Sequence, residues 1–179
     1  MTDLLVLDLV KKGLVTDQMV LTVGYDVENL ADPARRAAYK GEVTVNYYGR
    51  PVPKHAHGTA GLGGHTSSTR TITDAVMALF DRVVDPGLLV RRINVVANNI
   101  LPEADLRGSG EQMDLFSDAA VTEESRPAKS SDPRRERRRQ EAVLAIQRRY
   151  GKNAILKGMN LEEGATARER NRQIGGHKA

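Results

Sequence analysis

Four short runs in this sequence carry side chains that could do chemistry. Lys54-His55-Ala56-His57, with His65 close behind, sets two imidazoles two residues apart. On an extended segment that spacing puts both on one face, where together with His65 they could ligate zinc. No Cys, Asp or Glu lies within the run, so the same residues also describe a solvated or phosphate-facing strand. Gly61-Leu62-Gly63-Gly64 would let a backbone approach a phosphate, but it lacks the lysine of a P-loop and leads into no fingerprint helix. A flexible loop is the simpler reading. Arg91-Arg92, with Asn94 two residues on, suits phosphate contact if Arg92 and Asn94 share a polar strand face; otherwise it is a solvated strand end. The fourth run, Glu111-Gln112-Met113-Asp114-Leu115-Phe116, places an apolar Leu-Phe pair in a Gly/Ser/acidic stretch that gives it no folding role.

The elements that must position these groups follow from periodicity. Thr66 to Ile100 reads as a helix running into a strand. Hydroxyls from Thr66 to Thr71 offer caps, and Thr71-x-x-Asp74 is a capping-box variant. Ile72, Val76, Leu79, Phe80 and Val83 form one apolar stripe, and Asp85-Pro86-Gly87 stops it. From Leu89 the period becomes two, with Leu89, Ile93, Val95 and Ala97 opposite Arg92, Asn94 and Asn98. That predicts a sheet with its back on helices and a polar, partly cationic face left open.

Upstream, Thr2 can cap a helix carrying Leu4 to Leu14, with Asp8 and Lys12 as an i,i+4 pair and Gly13 near its end. Residues 18–26 alternate as a half-buried strand, with Met19, Leu21, Val23 and Tyr25 on one side. Asp32-Pro33 opens a short helical turn, and residues 42–48 alternate again. Gly49-Arg50-Pro51 turns the chain back into an extended, polar segment over 52–62.

Composition bounds the function. There is no cysteine, which excludes disulfides and thiolate metal sites. No apolar run approaches the roughly 18 residues of a membrane span, and no signal-peptide pattern is present, so a cytoplasmic protein without a membrane partner is expected. Charge is distributed unevenly. Residues 1–100 carry 11 basic and 10 acidic side chains, 101–132 carry 3 and 8, and 133–179 carry 13 and 5. A near-neutral globular part (1–100), an acidic disordered linker (101–132) and a basic helical tail (133–179) are expected, the tail suited to a polyanion. In that tail Ala142, Val143, Ile146 and Tyr150 make a thin apolar stripe; nucleic acid, a partner helix or plain solvation are open to it.

The run YGRPVPKHAHGTAGL, then TSSTR, a helix and LLVRRINVVANNI, resembles the little-finger domain of Y-family translesion DNA polymerases. The likeness is greatest to the UmuC/DinB-like proteins of the impB/mucB/samB group, and the closing AILKGMNLEEGATARERNRQIGGHKA belongs with it. The resemblance implies an α+β fold, a βαββαβ unit with two helices on one face of an antiparallel sheet. The other face would lie against the DNA major groove and touch backbone phosphates. It makes Arg91 and Arg92 the paired arginines opening the last strand, with Asn94 beside them, and puts Lys54, His55, His57 and Thr59 on the preceding DNA-facing strand. Val96 stands where some relatives have a further basic residue.

Departures from the family pattern matter as much. The resemblance begins at the first helix, so the first strand is expected to be missing and the neighbouring strand's backbone exposed. Palm and thumb are absent too. The family's Mg ions are held by palm carboxylates, so no cofactor, metal or catalysis is expected of this chain, which reads as the C-terminal piece of a longer polymerase. Gln112-Met113-Asp114-Leu115-Phe116 resembles the bacterial sliding-clamp-binding peptide, with Met113 in place of leucine; its alternative is an apolar staple docking back on the domain. Two functions are therefore expected to compete. One is a DNA-binding, clamp-tethering module in translesion synthesis, DNA repair and the SOS response, near the nucleoid. The other is a non-catalytic interaction protein whose basic tail binds RNA or a protein.

Overall fold

A computed structural model describes residues 1–108, 132–174 and 177–178. Its centre is a two-layer α+β arrangement built on one long strand, β1 (Leu14–Tyr25). Val15, Met19, Leu21, Val23 and Tyr25 of β1 are buried, as the period-two pattern requires when one face meets a helix layer. β1 pairs antiparallel with β4 (Ala56–Thr66) on one side and with β5 (Val90–Asn98) on the other. The resulting order is β4-β1-β5, with β6 (Leu101–Pro102) continuing past Asn99 to pair with Leu14 and Val15. The order leaves no gap beside β1. Unpaired backbone belongs to the outer sides of β4 and β5. Arg82 covers part of the β4 edge, its guanidinium donating to the Thr59 carbonyl at 3.1 Å.

Helices α1 (Thr2–Lys12) and α4 (Thr69–Val83) cover one face. α1 turns directly into β1 through Gly13, whose φ of 65° suits a residue with no Cβ, and whose N–H reaches the Leu9 and Val10 carbonyls. Asp8 and Lys12 pair at 2.6 Å as their spacing predicts. The expected Thr2 cap is not there: Met1 holds the N-cap position without a side-chain bond, and Thr2 is already helical. In α4 the stripe buries Ile72, Val76 and Leu79. Its cap is Ser68, whose hydroxyl accepts from the Thr71 N–H at 3.2 Å; Asp74 lies beside Arg70 at 3.7 Å and caps nothing. The core divides into two clusters, Val6, Leu9, Val10, Met19, Ile72, Val76 and Ala97 in one and Leu21, Val23, Tyr25 and Leu79 in the other.

Between β1 and β4 the chain makes an excursion that the alternation of residues 42–48 misrepresents. After α2 (Glu28–Ala31) and α3 (Pro33–Ala38), strands β2 (Val43–Val45) and β3 (Pro51–Pro53) pair only with each other. Val43 and Val45 are exposed, so this is a separate hairpin and not a half-buried strand of the main sheet. α3 starts as predicted. Asp32 accepts from the Arg35 and Ala34 N–H groups at 3.0 and 2.8 Å, and those two bonds hold its carboxyl below the usual range. A depressed carboxyl pKa contributes stability above the unfolded value of roughly 3.9 and loses it as pH falls through the folded one. Protection of the Ala34 and Arg35 amides from exchange, relative to their intrinsic rates, is therefore expected to fall on acidification below about pH 4, and Asp32→Asn should remove that dependence.

The tail is not a detached basic helix. After α5 (Glu103–Gly108), α6 (Pro133–Tyr150) lies across α1 and the N-terminus of α4. Glu136 accepts from the Ser68 hydroxyl (2.8 Å) and the Arg70 N–H (3.1 Å), completing the α4 cap from 66 residues away. Gln140, buried, donates to the Ser67 carbonyl and the Thr69 hydroxyl at 2.8 and 2.9 Å. Arg137 bonds Glu103 at 2.9 Å, and Leu144 packs on the first core cluster. The docked face is thus Glu136, Gln140 and Leu144, four residues apart. Of the predicted stripe, Val143 and Ile146 are half-buried, whereas Ala142 and Tyr150 are exposed. A 3-10 turn (Gly158–Leu161), α7 (Ala167–Arg170) and a small hairpin of β7 (Gln173–Ile174) with β8 (His177–Lys178) complete the chain. Gln112 to Phe116 and most of the acidic stretch lie outside the described residues.

Candidate nucleic-acid interface

The sheet face opposite α1 and α4 carries the groups that the sequence offered for phosphate contact. Register places them in rows across the strands. Arg92 stands opposite Gly24; Asn94, Thr22 and His57 form the next row. Val96, Val20 and Thr59 follow, then Asn98, Gln18 and Gly61. Three side-chain bonds tie the rows together. Arg92 Nε donates to Asn94 Oδ1 at 3.3 Å, Thr22 Oγ1 and His57 Nδ1 lie 3.0 Å apart, and Asn98 Nδ2 donates to Gln18 Oε1 at 3.2 Å. Apart from Val20 and the exposed Val96 in one row, the face carries hydroxyls, amides, one guanidinium and one imidazole, groups that donate to phosphate oxygens without reading bases.

The predicted residues do not all arrive there. Thr59 and His57 are exposed on β4 as expected, beside Thr22 and Val20. Lys54 and His55 precede the strand, which starts at Ala56. Lys54 is held by Glu42 at 2.7 Å, and that carboxylate raises the ammonium's pKa above its ordinary value. His55 and His57 meet edge to face, ring centroids 6.4 Å apart. Arg91 and Arg92 are separated by a register shift, because Gly24 pairs with Arg92 but Tyr25 with Val90. Arg91 then reaches Asp26 at the sheet end, 3.9 Å away, while Arg92 joins the open face. Only one of the two arginines is on that face free of a carboxylate partner.

His65 lies apart from the other two histidines, its Nε2 3.2 Å from the Asn99 carbonyl and 3.9 Å from Asp17. Among the described residues no group of three or more His, Cys, Asp or Glu is placed to hold a metal ion. Gly61 to Gly64 make an irregularity in the β1–β4 pairing, where the register jumps from Gln18↔Gly61 to Thr16↔Thr66 and Gly63 takes φ 75°. A groove of about 960 Å³ lies between α1, α4, α6 and residues 155–171, away from the open face.

Asn29 is the site residue that sequence reasoning missed. It is fully buried; its Nδ2 donates to the Asp26 and Leu89 carbonyls (3.0 and 2.9 Å) and its Oδ1 accepts from the Leu89 N–H at 2.8 Å. It pins the residue just before β5, and so fixes where Arg91 and Arg92 begin. A lone Asn in a polar stretch carries no sequence signal for that role. Comparison of the chain with family models, curated proteins and solved structures finds no match.

Proposed function

We propose that this protein is the DNA-binding and clamp-tethering part of a Y-family translesion polymerase, of the little-finger type, without catalytic chemistry of its own. The observation that carries the reading is the open β4-β1-β5 face, polar in its rows except at Val20 and Val96, while the opposite face is packed by two helices. Its net cation content is low, since Lys54 and Arg91 are each shared with a carboxylate. Binding to duplex or primer–template DNA is accordingly weak, independent of base sequence, and governed by few phosphate contacts. Residues 112–116 would supply the second contact, with the sliding clamp. This reading puts the protein at the nucleoid in the cytoplasm; among the described residues no helix is long and apolar enough to cross a membrane.

The test is duplex binding measured over a range of salt. Arg92→Ala is expected to weaken binding equally on unrelated sequences and to lower the log–log salt slope by about 1. Arg91→Ala should do less, its charge being shared with Asp26. Strong discrimination between sequences, or an affinity indifferent to Arg92, would overturn the reading. A second reading draws on α6, where Arg134, Arg135 and Arg138 are exposed while the docked face carries Glu136 and Gln140. If this ridge binds RNA or an acidic protein, reversing those three charges removes the interaction and leaves the open face unaffected.

A further inference from the structure

The excursion between α2 and β4 has no role in the sheet-face reading, yet it holds three of the chain's five tyrosines, Tyr39, Tyr47 and Tyr48. Residues 32–54 also carry five basic and two acidic side chains, net +3, against +1 for all of residues 1–100. The tip of the β2–β3 hairpin is built to stay in shape. Asn46 Oδ1 accepts from the Tyr48 and Arg50 N–H groups at 2.9 and 3.0 Å, the Asn46 N–H bonds the Arg50 carbonyl at 2.9 Å, and Gly49 takes φ 74°. On this frame Tyr47 is 96% exposed and Tyr48 71%. Their rings meet edge to face at 5.4 Å, and the Arg50 guanidinium lies 5.5 Å from the Tyr48 centroid.

Two exposed rings and a guanidinium on a fixed loop do not bury anything in this fold. Their chemistry, flat π faces beside cations, is that of a base-stacking platform. A duplex keeps its bases stacked inside, so it can offer this tip only phosphates. Strand addition by a protein partner along the β3 edge is also disfavoured. Hydrogen bonds join Asn46 to Arg50 and Lys54 to Glu42, so Pro51 and Pro53 occupy the intervening positions, facing away from β2, where neither has an N–H to donate. We propose that the β2–β3 tip binds single-stranded nucleic acid, stacking bases on Tyr47 and Tyr48 while Arg50 and the neighbouring basic residues follow the phosphates. This adds a second site to the duplex-binding face and does not depend on it.

The absence of tryptophan makes the experiment direct, because emission then comes from the five tyrosines alone, of which Tyr47 and Tyr48 are the most exposed. The full chain is titrated with short oligo(dT), oligo(U), an abasic strand of equal length and a duplex. Oligo(dT), oligo(U) or both should quench emission; which of them does so identifies DNA, RNA or either as the ligand. Tyr47→Ala/Tyr48→Ala is expected to weaken single-strand binding at least about tenfold while leaving duplex binding unchanged. Tyr47→Phe/Tyr48→Phe should retain it, since stacking needs the ring and not the hydroxyl. Arg92→Ala should affect the duplex alone, so failure of either site is told apart from failure of the other. Equal affinity for the abasic strand, or single-strand binding that survives the double alanine change, would overturn the proposal.

Discussion

Alanine at both Leu115 and Phe116 is expected to abolish binding to the sliding clamp while duplex binding by the sheet stays as it was. Each side chain entering an apolar cleft contributes roughly 1.5–3 kcal/mol. Fixing about five backbone residues costs on the order of 1–2 kcal/mol apiece, which offsets much of the whole peptide's gain. The intact peptide should therefore bind at about the micromolar level, near −8 kcal/mol, or more weakly. Removing roughly 3–6 kcal/mol from so small a total leaves nothing a titration can detect. On the proposed reading the two contacts reinforce each other in the full chain, because a sheet holding DNA would keep the peptide close to a clamp encircling the same DNA. Clamp affinity surviving the double change would show that residues 112–116 are not the contact.

Asn29→Ala should lower stability by about 2–4 kcal/mol, measured by urea unfolding, since it removes three bonds made by a fully buried side chain and leaves the Leu89 N–H without its partner. Asn29→Asp should be worse at neutral pH. Its carboxylate would face the Asp26 and Leu89 carbonyls, which now accept from the amide, and burial would raise its pKa. A raised folded-state value means the loss is smallest below the unfolded pKa of roughly 3.9 and grows as pH rises through the folded one. Equal, pH-independent losses in the two variants would contradict this account. Both changes should also weaken duplex DNA binding, because Leu89 sets the start of the strand that carries Arg92.

The core was legible in the sequence where a single rule governed it. Met19, Leu21, Val23 and Tyr25 alternate because β1 has one covered face, and Ile72, Val76 and Leu79 recur because α4 lies on that face. The alternation of Val43, Val45 and Tyr47 follows the same rule without the burial: a two-stranded hairpin has no helix behind it, and periodicity cannot tell the two cases apart. The candidate site was half legible. Alternation put Arg92 on a polar strand face and the resemblance put His57 and Thr59 on the strand that faces the same way, but the shift between Gly24 and Tyr25 that sends Arg91 toward Asp26 arises from pairing between distant strands. Likewise the α4 cap looked local to Thr71 and Asp74, whereas half of it is Glu136, brought back by a helix that local rules treat as an independent tail.

The central place of β1 has a consequence for the ribosome. Val20 pairs with Thr59 and with Val96, 39 and 76 residues further along, so the middle of the sheet is made first and both its neighbours later. At roughly 5–20 residues per second, several seconds separate synthesis of β1 from that of β5. Over that interval Met19 has α1 as its earliest cover, Leu21 and Val23 wait for β4 and α4, and one edge of β1 stays unpaired to the end. The nascent chain is therefore most open to association with other chains before residue 98 has emerged. A translational pause placed ahead of that point should lower the yield of folded protein, and the same pause placed after β5 has paired should not.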